Sequence, residues 1–297
     1  MSDDTFRNIR VSVWQRIGLL GLIAAFTMMG TLRLNDCDLF NPDSPRYVLY
    51  SQSIVDLGEY RATDLPGSPV YTWRPPGLSM LLAPMMALRP YDVVAAKVVV
   101  LLTGALLLWV VFQFAVLHCS GWEALCVTAL VASSPSFFVM STEVLTEVPY
   151  AVGVMIVLTI LSRSTMTETA DPSQQKRYWR MAMMVIATIA LAFTPWLRTA
   201  GIALVAAAAL WVVSSRARYQ WIPTVAGAVI AFLALAWRNK QAGGENYIGS
   251  TMTRLADKGL VPFIHSGLET VWQYVRAIPG LLLPGFLTDR AWYSPVL

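Results

Sequence analysis

The polar residues of this chain that could do chemistry lie in short stretches between long apolar runs. In the first stretch, Asp43 and Ser44 precede Pro45, which is the pattern of a helix start with one of the two as its cap. We expect this helix to end near Leu57, before Gly58. Asp43 therefore has two open interpretations: it caps a helix, or its carboxylate takes part in a reaction.

The second stretch carries Arg74 immediately before Pro75-Pro76-Gly77. We expect a short apolar helix, Leu78 to Leu88, to begin there. Backbone N–H groups at a helix start attract anions, so Arg74 either helps to bind an anion or anchors the chain at the membrane interface beside Trp73.

The third stretch links two apolar runs and carries Glu143 and Glu147. On one helix these carboxylates would share a face and repel each other. They indicate either a metal or cationic substrate group, or a link that is simply solvated. We expect Lys97, near the start of another apolar run, to extend its amine to the headgroups.

The composition places these stretches in a membrane protein. Of 297 residues, 56% are hydrophobic and 13% are charged, about half the charged fraction of a soluble domain. The net charge of +4 is scattered, which excludes a typical nucleic-acid binder. Three cysteines and two histidines give neither a disulfide framework nor zinc spacing, so any divalent metal would need oxygen ligands, and its presence stays open.

The apolar runs predict an all-α polytopic protein with about seven transmembrane helices and an outer first loop that carries two surface helices. Leu78 to Leu88 is too short to span and is interpreted as lying on the membrane. The seven predicted spans are Ile17–Leu34, Val93–Leu117, Ala124–Met140, Pro149–Leu161, Met181–Leu197, Thr199–Val213 and Trp221–Trp237.

The distribution of basic residues predicts the orientation. The loops Ser162 to Arg180 and Ser214 to Gln220 are basic, so we place them in the cytoplasm with the N-terminus, residues 1–16. The transmembrane module then covers 17–237, its outer loop covers 35–92, and residues 238–297 form an outer tail. We expect a membrane protein whose polar chemistry lies on the outer face.

The ordered motifs resemble the C-type membrane glycosyltransferases. They are Asp43-Ser44-Pro45-Arg46-Tyr47, Asp56-Leu57-Gly58-Glu59-Tyr60, Arg74-Pro75-Pro76-Gly77 and Ser134-Pro135 followed by Glu147. The resemblance covers roughly residues 17–237 and is strongest to the branch with bacterial protein O-mannosyltransferases and lipid A aminoarabinose transferases. Members of that family usually continue for several more spans, so we expect the chain to be truncated or a compact member.

The resemblance implies the roles of four residues. Asp43 stands at the position of the catalytic carboxylate of the first outer loop, and Glu147 matches the acidic residue of the second. Arg46 and Arg74 match basic residues that bind the phosphate of a lipid-linked donor. The implied partners are that donor, membrane lipids and an acceptor that is a glycan, lipid or protein.

The chemistry of such a donor suits these residue types. Polyprenyl phosphate leaves as a stable anion, so the reaction needs cations at the phosphate and a base for the acceptor hydroxyl. We therefore predict an inverting transfer of a sugar at the outer face. A membrane transporter and a noncatalytic protein that binds polyprenyl phosphate are the alternatives.

Overall fold

The structure of the chain is a computed structural model. It describes residues 11–37, 43–167, 174–214 and 216–243, together with nine scattered positions between 253 and 272. Most of the predicted outer tail therefore lies outside the described residues. The helices in chain order are α1 (Val13–Arg33), α2 (Ser44–Leu57), α3 (Gly77–Leu88), α4 (Val93–Ala115), α5 (Gly121–Ala132), α6 (Pro135–Thr142), α7 (Glu147–Thr167), α8 (Gln174–Leu197), α9 (Gly201–Val213), a 3-10 helix (Arg216–Trp221) and α10 (Ile222–Gln241).

Within the described residues, five helical segments are long and apolar enough to cross a membrane, and a sixth span exists if α5 and α6 count together. Those five contain α1, α4, α7, α8 and α10. The prediction of an all-α, multi-pass membrane protein is confirmed, but the count of seven spans is not. At 1.5 Å per residue α9 is only about 20 Å long, well short of a bilayer core of about 30 Å.

The span predicted from Ala124 to Met140 is the clearest difference from the sequence analysis. It is two helices, α5 and α6, that meet at an angle of 64°. Ser134 caps α6 by accepting a hydrogen bond from the backbone N–H of Phe137, and Pro135 occupies the first turn of that helix. Proline cannot donate a backbone hydrogen bond to the preceding turn, so the apolar run breaks at this point.

Polar caps set the starts of several other helices. Ser12 and Gln15 form a capping box at α1, and Ser120 and Glu123 form another at α5. Asp92 caps α4 by accepting from the backbone N–H of Ala95 at 2.9 Å. These caps satisfy backbone donors that would otherwise lack partners at the helix ends.

Helix α3 carries one face into the main core. Leu78, Leu82 and Met86 are fully buried and follow each other at four-residue spacing, so they form one stripe. They belong to the same cluster as Val100 of α4 and Val148 of α7. The helix predicted over Leu78 to Leu88 therefore exists, and its buried stripe fixes the residues just before it against the bundle.

The ends of the helices separate the polar residues into two groups. The end of α1, the starts of α4 and α7, the turn after α8 and the end of α10 share one end of the bundle, which we call the loop end. At the opposite end, Arg163 donates to Gln113 at 3.0 Å and Arg180 donates to Gln220 at 3.1 Å. All four sequence-predicted site residues belong to the loop end.

Candidate active site

Asp43 and Arg74 form a direct ion pair between the start of α2 and the segment before α3. Both side chains are partly exposed, 28% for Asp43 and 27% for Arg74. Asp43 occupies the cap position of α2 but makes no capping hydrogen bond. The carboxylate of Asp43 therefore pairs with Arg74 instead of capping α2 through a hydrogen bond.

Tyr47 lies beside this ion pair. The Arg74 guanidinium lies 5.9 Å from the centre of the Tyr47 ring, within the range of a cation–π contact. Burial raises the pKa of Tyr47 above its ordinary value, although hydrogen bonds with Arg74 and Thr146 oppose the rise. The phenol is therefore neutral at physiological pH.

The charge of Arg74 is secured by the same contacts. Desolvation lowers the pKa of its guanidinium, but hydrogen bonds to Asp43 and Tyr47 outweigh this effect and raise the pKa above the ordinary value. Arg74 is thus a permanent cation with partial access to solvent. A guanidinium has five N–H donors, so it can keep Asp43 and still bind phosphate oxygens.

The segment between α6 and α7, residues 143–146, joins this ion pair to Glu147. Ser44, next to Asp43, donates its hydroxyl to the carbonyl of Val144 at 3.1 Å. Glu147 begins α7, and its Oε1 accepts from Arg198 at 2.6 Å. Its other oxygen, Oε2, is buried and has no hydrogen-bond partner among the described residues. Glu147 therefore retains an unused acceptor.

Arg46 does not contact Asp43 in the same way, because it pairs with Asp64. The two side chains are 3.3 Å apart, and Arg46 is 47% exposed. Asp64 also accepts from the hydroxyl of Tyr50 at 2.8 Å. Arg46 thus belongs to a second, more exposed ion pair in the first turn of α2.

Tyr71 lies close enough to both ion pairs for their charges to influence it. Its ring centre is 4.6 Å from that of Tyr50 and 5.6 Å from that of Tyr60. Burial raises the pKa of Tyr71, and the charges of Arg74, Arg46, Asp43 and Asp64 all act on it. Tyr50, Tyr60 and Tyr71 thus form one aromatic cluster, and the charges of both ion pairs act on its Tyr71.

The end of α10 is attached to this cluster through Arg238. Its guanidinium donates to the carbonyl of Tyr71 at 3.1 Å and to that of Tyr60 at 3.3 Å. It also lies 5.5 Å from the ring centre of Tyr60. The last described helix thus holds the loop between α2 and α3 in place.

Lys97 does not reach the headgroups, so that prediction is wrong. Its side chain is 1% exposed, and its ammonium lies 3.3 Å from Glu143 Oε2. It also donates to Asn35 Oδ1 at 3.2 Å and to the carbonyl of Cys37 at 2.8 Å. The ammonium can be buried because these acceptors replace its water.

Sequence reasoning missed four partners that the fold supplies. The sequence gives no role to Asp64 or Arg198, does not indicate that Lys97 pairs with Glu143, and names Tyr47 only as part of a motif. Glu143 and Glu147 do not repel on one helix, because α6 ends at Thr142 and α7 begins at Glu147. In the part of the chain that the structure describes, no three His, Cys, Asp or Glu side chains are grouped to hold a metal ion.

Comparisons with known proteins give two similar structures. No family model and no curated protein matches the chain. The first structure is ArnT from Cupriavidus metallidurans in the apo state, with a TM-score of 0.58 and 19% identity, covering 76% of this chain and 43% of ArnT. The second is the S. cerevisiae protein O-mannosyltransferase Pmt1-Pmt2 complex bound to the sugar donor, with a TM-score of 0.59 and 14% identity, covering 81% of this chain and 36% of that one.

Both are C-type membrane glycosyltransferases, an aminoarabinose transferase and a mannosyltransferase. The chain spans less than half of the length of either. At this identity the comparison concerns the fold. The ion pairs around Asp43 and Glu147 are thus carried on the polytopic all-α fold of the C-type membrane glycosyltransferases.

Proposed function

We propose that the protein transfers a sugar from a polyprenyl-phosphate-linked donor to an acceptor hydroxyl at the outer face of the membrane, with inversion at the anomeric carbon. The observation that carries the proposal is the Asp43–Arg74 ion pair, connected through Ser44 and Val144 to the segment that begins at Glu143. A carboxylate and a cation at one place are what a phosphate leaving group and a hydroxyl nucleophile require. The fold shared with two glycosyltransferases supports the same reaction class.

In this proposal Arg74 and Arg46 bind the donor phosphate. The phosphate oxygens accept from free N–H groups of Arg74 while another of its N–H groups keeps Asp43 oriented. Arg46 is the more exposed of the two arginines, and its guanidinium leaves Asp64 to bind the phosphate. The charge that leaves with the phosphate is thereby stabilised by cations that are already in place.

Asp43 is the proposed base and Glu147 the residue that orients the acceptor. Asp43 takes the proton of the acceptor hydroxyl as that oxygen attacks the anomeric carbon, and the bond to the phosphate breaks on the opposite side of the ring. The Glu147 side chain is 33% exposed, and its Oε1, which pairs with Arg198, also accepts a hydrogen bond from the incoming acceptor. A single displacement of this kind inverts the configuration.

The proposed orientation follows from the two ends of the bundle. Arg163, Arg180 and Arg218 are described at the end opposite Asp43. An excess of arginine and lysine marks cytoplasmic loops. The short loops 162–180 and 214–220 at that end are basic, which supports a cytoplasmic N-terminus. We place the site on the outer face of a bacterial plasma membrane.

The decisive variant is Asp43→Asn. Asparagine can still accept from Arg74 but cannot take a proton, so transfer should fall about 10² to 10⁴-fold while the fold is retained. Asp92→Asn is the matched control, since Asn caps a helix as well as Asp does. The assay uses proteoliposomes with radiolabelled mannose or aminoarabinose on undecaprenyl phosphate, and membrane extract as the acceptor. Equal transfer by Asp43→Asn and Asp92→Asn would reject Asp43 as the base.

The donor site can be tested without knowing the sugar by measuring the binding of undecaprenyl phosphate, because this lipid phosphate is the proposed leaving group. Arg74→Met should weaken that binding at least tenfold, the loss of about one charge-assisted hydrogen bond. Arg163→Met at the opposite end is the control. Binding that survives Arg74→Met contradicts the phosphate site, and binding without any transfer favours the noncatalytic alternative.

A further inference from the structure

The Lys97–Glu143 ion pair is buried and has no part in the proposed reaction, so it needs its own explanation. Lys97 is 1% exposed and Glu143 is 11% exposed. Replacing a buried ion pair by apolar side chains is often neutral or stabilising, so stability alone is a weak reason for one in a membrane helix. The segments of the chain that this ion pair holds together suggest a more specific reason.

The pair joins three parts of the chain. Lys97 is in the second turn of α4, and Glu143 follows the last residue of α6. Two further acceptors of the ammonium, Asn35 and Cys37, follow α1. Asn35 also accepts from the backbone N–H of Cys37 at 3.2 Å, which folds this short segment onto itself. One side chain therefore holds both the segment that precedes Asp43 in sequence and the segment that precedes Glu147.

The segment fixed at Glu143 supplies the contacts of the candidate site. Within residues 143–147, Val144 accepts from Ser44, Thr146 hydrogen-bonds Tyr47, and Glu147 pairs with Arg198. The turn is tight, because the N–H of Leu145 donates to the carbonyl of Glu143 at 2.9 Å. A displacement at Glu143 therefore reaches both Asp43 and Glu147 within a few bonds.

We infer that Lys97 is a positioning residue that sets the spacing between the Asp43–Arg74 ion pair and Glu147 by anchoring the segment between α6 and α7 through Glu143. This inference rests on the proposed function. A lysine suits the role because its compact ammonium satisfies three acceptors that approach from different directions. Lys97 itself contacts no substrate.

The test compares two variants of the pair. Lys97→Met keeps the length of the side chain but leaves the Glu143 carboxylate without its cation. Glu143→Gln keeps an oxygen that can accept from Lys97. Since a misplacement of about 1 Å can cost 10²-fold in rate, kcat of Lys97→Met should fall about 10- to 100-fold, with the KM for donor changed less than threefold. Glu143→Gln should stay within about threefold of the parent, and Lys97→Arg should recover part of the loss.

A double-variant cycle separates positioning from general destabilisation. Ser44→Ala removes the contact with Val144, so it loosens the same segment that Lys97→Met loosens. If both act through that segment, their combined loss of kcat is smaller than the product of the two single losses. The rates are measured at temperatures where thermal melting in detergent shows that every variant is folded. A loss of kcat in the double variant equal to the product of the two single losses would overturn the inference.

The results distinguish the inference from the proposed function. Full transfer by Asp43→Asn refutes the role of Asp43 as the base, but the double-variant cycle can still be measured on the transfer that remains. A strong effect of Asp43→Asn together with unchanged kcat in Lys97→Met refutes the positioning role alone. If Lys97→Met fails to fold, Lys97→Gln takes its place, because it removes the cation but keeps a hydrogen-bond donor; kcat within threefold of the parent in the folded Lys97→Gln variant would refute the positioning role.

Discussion

Gly77, at the start of α3, packs against the backbone at the end of α8, and its replacement by alanine is a quantitative test. A Cβ at Gly77 would lie 2.5 Å from both the carbonyl carbon and the carbonyl oxygen of Trp196 in α8. Comfortable carbon contacts begin near 3.5 Å. Because the obstructing atoms are backbone, α3 and the end of α8 would have to separate by about 1 Å.

The cost of this separation can be estimated from known packing changes. Overpacking of a dense contact costs about 1 to 3 kcal/mol, whereas alanine in place of glycine in a helix gains about 1 kcal/mol. We therefore expect Gly77→Ala to be destabilised by up to about 2 kcal/mol. Arg74 precedes Gly77 and Arg198 follows Trp196, so the same shift should lower transfer up to about 10²-fold.

The control is Gly21→Ala in α1, where an added Cβ meets nothing within 4 Å. This variant gains helix propensity without a clash, so its thermal midpoint in detergent should equal or exceed that of the parent. The thermal midpoint and the rate of transfer are measured for both variants. If Gly77→Ala matches Gly21→Ala in both, α3 and α8 are not packed as the structure places them.

Two further predictions concern other parts of the loop end. Arg198→Met removes the cation from Glu147, so transfer should fall about tenfold. Arg163→Met, at the opposite end of the bundle, should not change transfer; equal rates for the two variants in the transfer assay would contradict a role for the Glu147–Arg198 pair. Burial raises the pKa of Tyr60 well above its ordinary value, so the folded state keeps the phenol proton to a higher pH than the unfolded chain does. The thermal midpoint should therefore be insensitive to this group below about pH 10 and fall above it. Tyr60→Phe should reduce this alkaline loss of stability, and identical plots of thermal midpoint against pH for the two proteins would refute the prediction.

The sequence predicts the elements of this protein better than their contacts. Helix α2 begins at Ser44 and ends at Leu57 before Gly58, which has a φ of 70°, as Pro45 and Gly58 predict. Those signals are local, since each depends on a few neighbouring residues. The dipeptide Ser134-Pro135 lies inside the span predicted from Ala124 to Met140, because the mean hydropathy of an apolar run does not change where the run bends.

The partners of the charged residues could not be predicted in this way. Lys97 and Asn35 are 62 residues apart in the chain, and Glu147 and Arg198 are 51 apart. Periodicity places each residue on a helix end but does not pair one end with another. A lysine near the start of an apolar run has the same local sequence whether it reaches the headgroups or a buried carboxylate, and only the packing of α4 against α7 decides.

The pairing of charges bears directly on the proposed reaction. Asp43, Asp64, Glu143 and Glu147 each have a cationic partner, namely Arg74, Arg46, Lys97 and Arg198. The three arginine pairs are partly exposed, whereas the lysine pair is buried. An anionic donor can therefore compete for the arginines at modest cost, because exposed ion pairs are weak, while the buried pair holds the segment between α6 and α7 unchanged. The division between exchangeable and fixed charges is thus set by depth in the bundle.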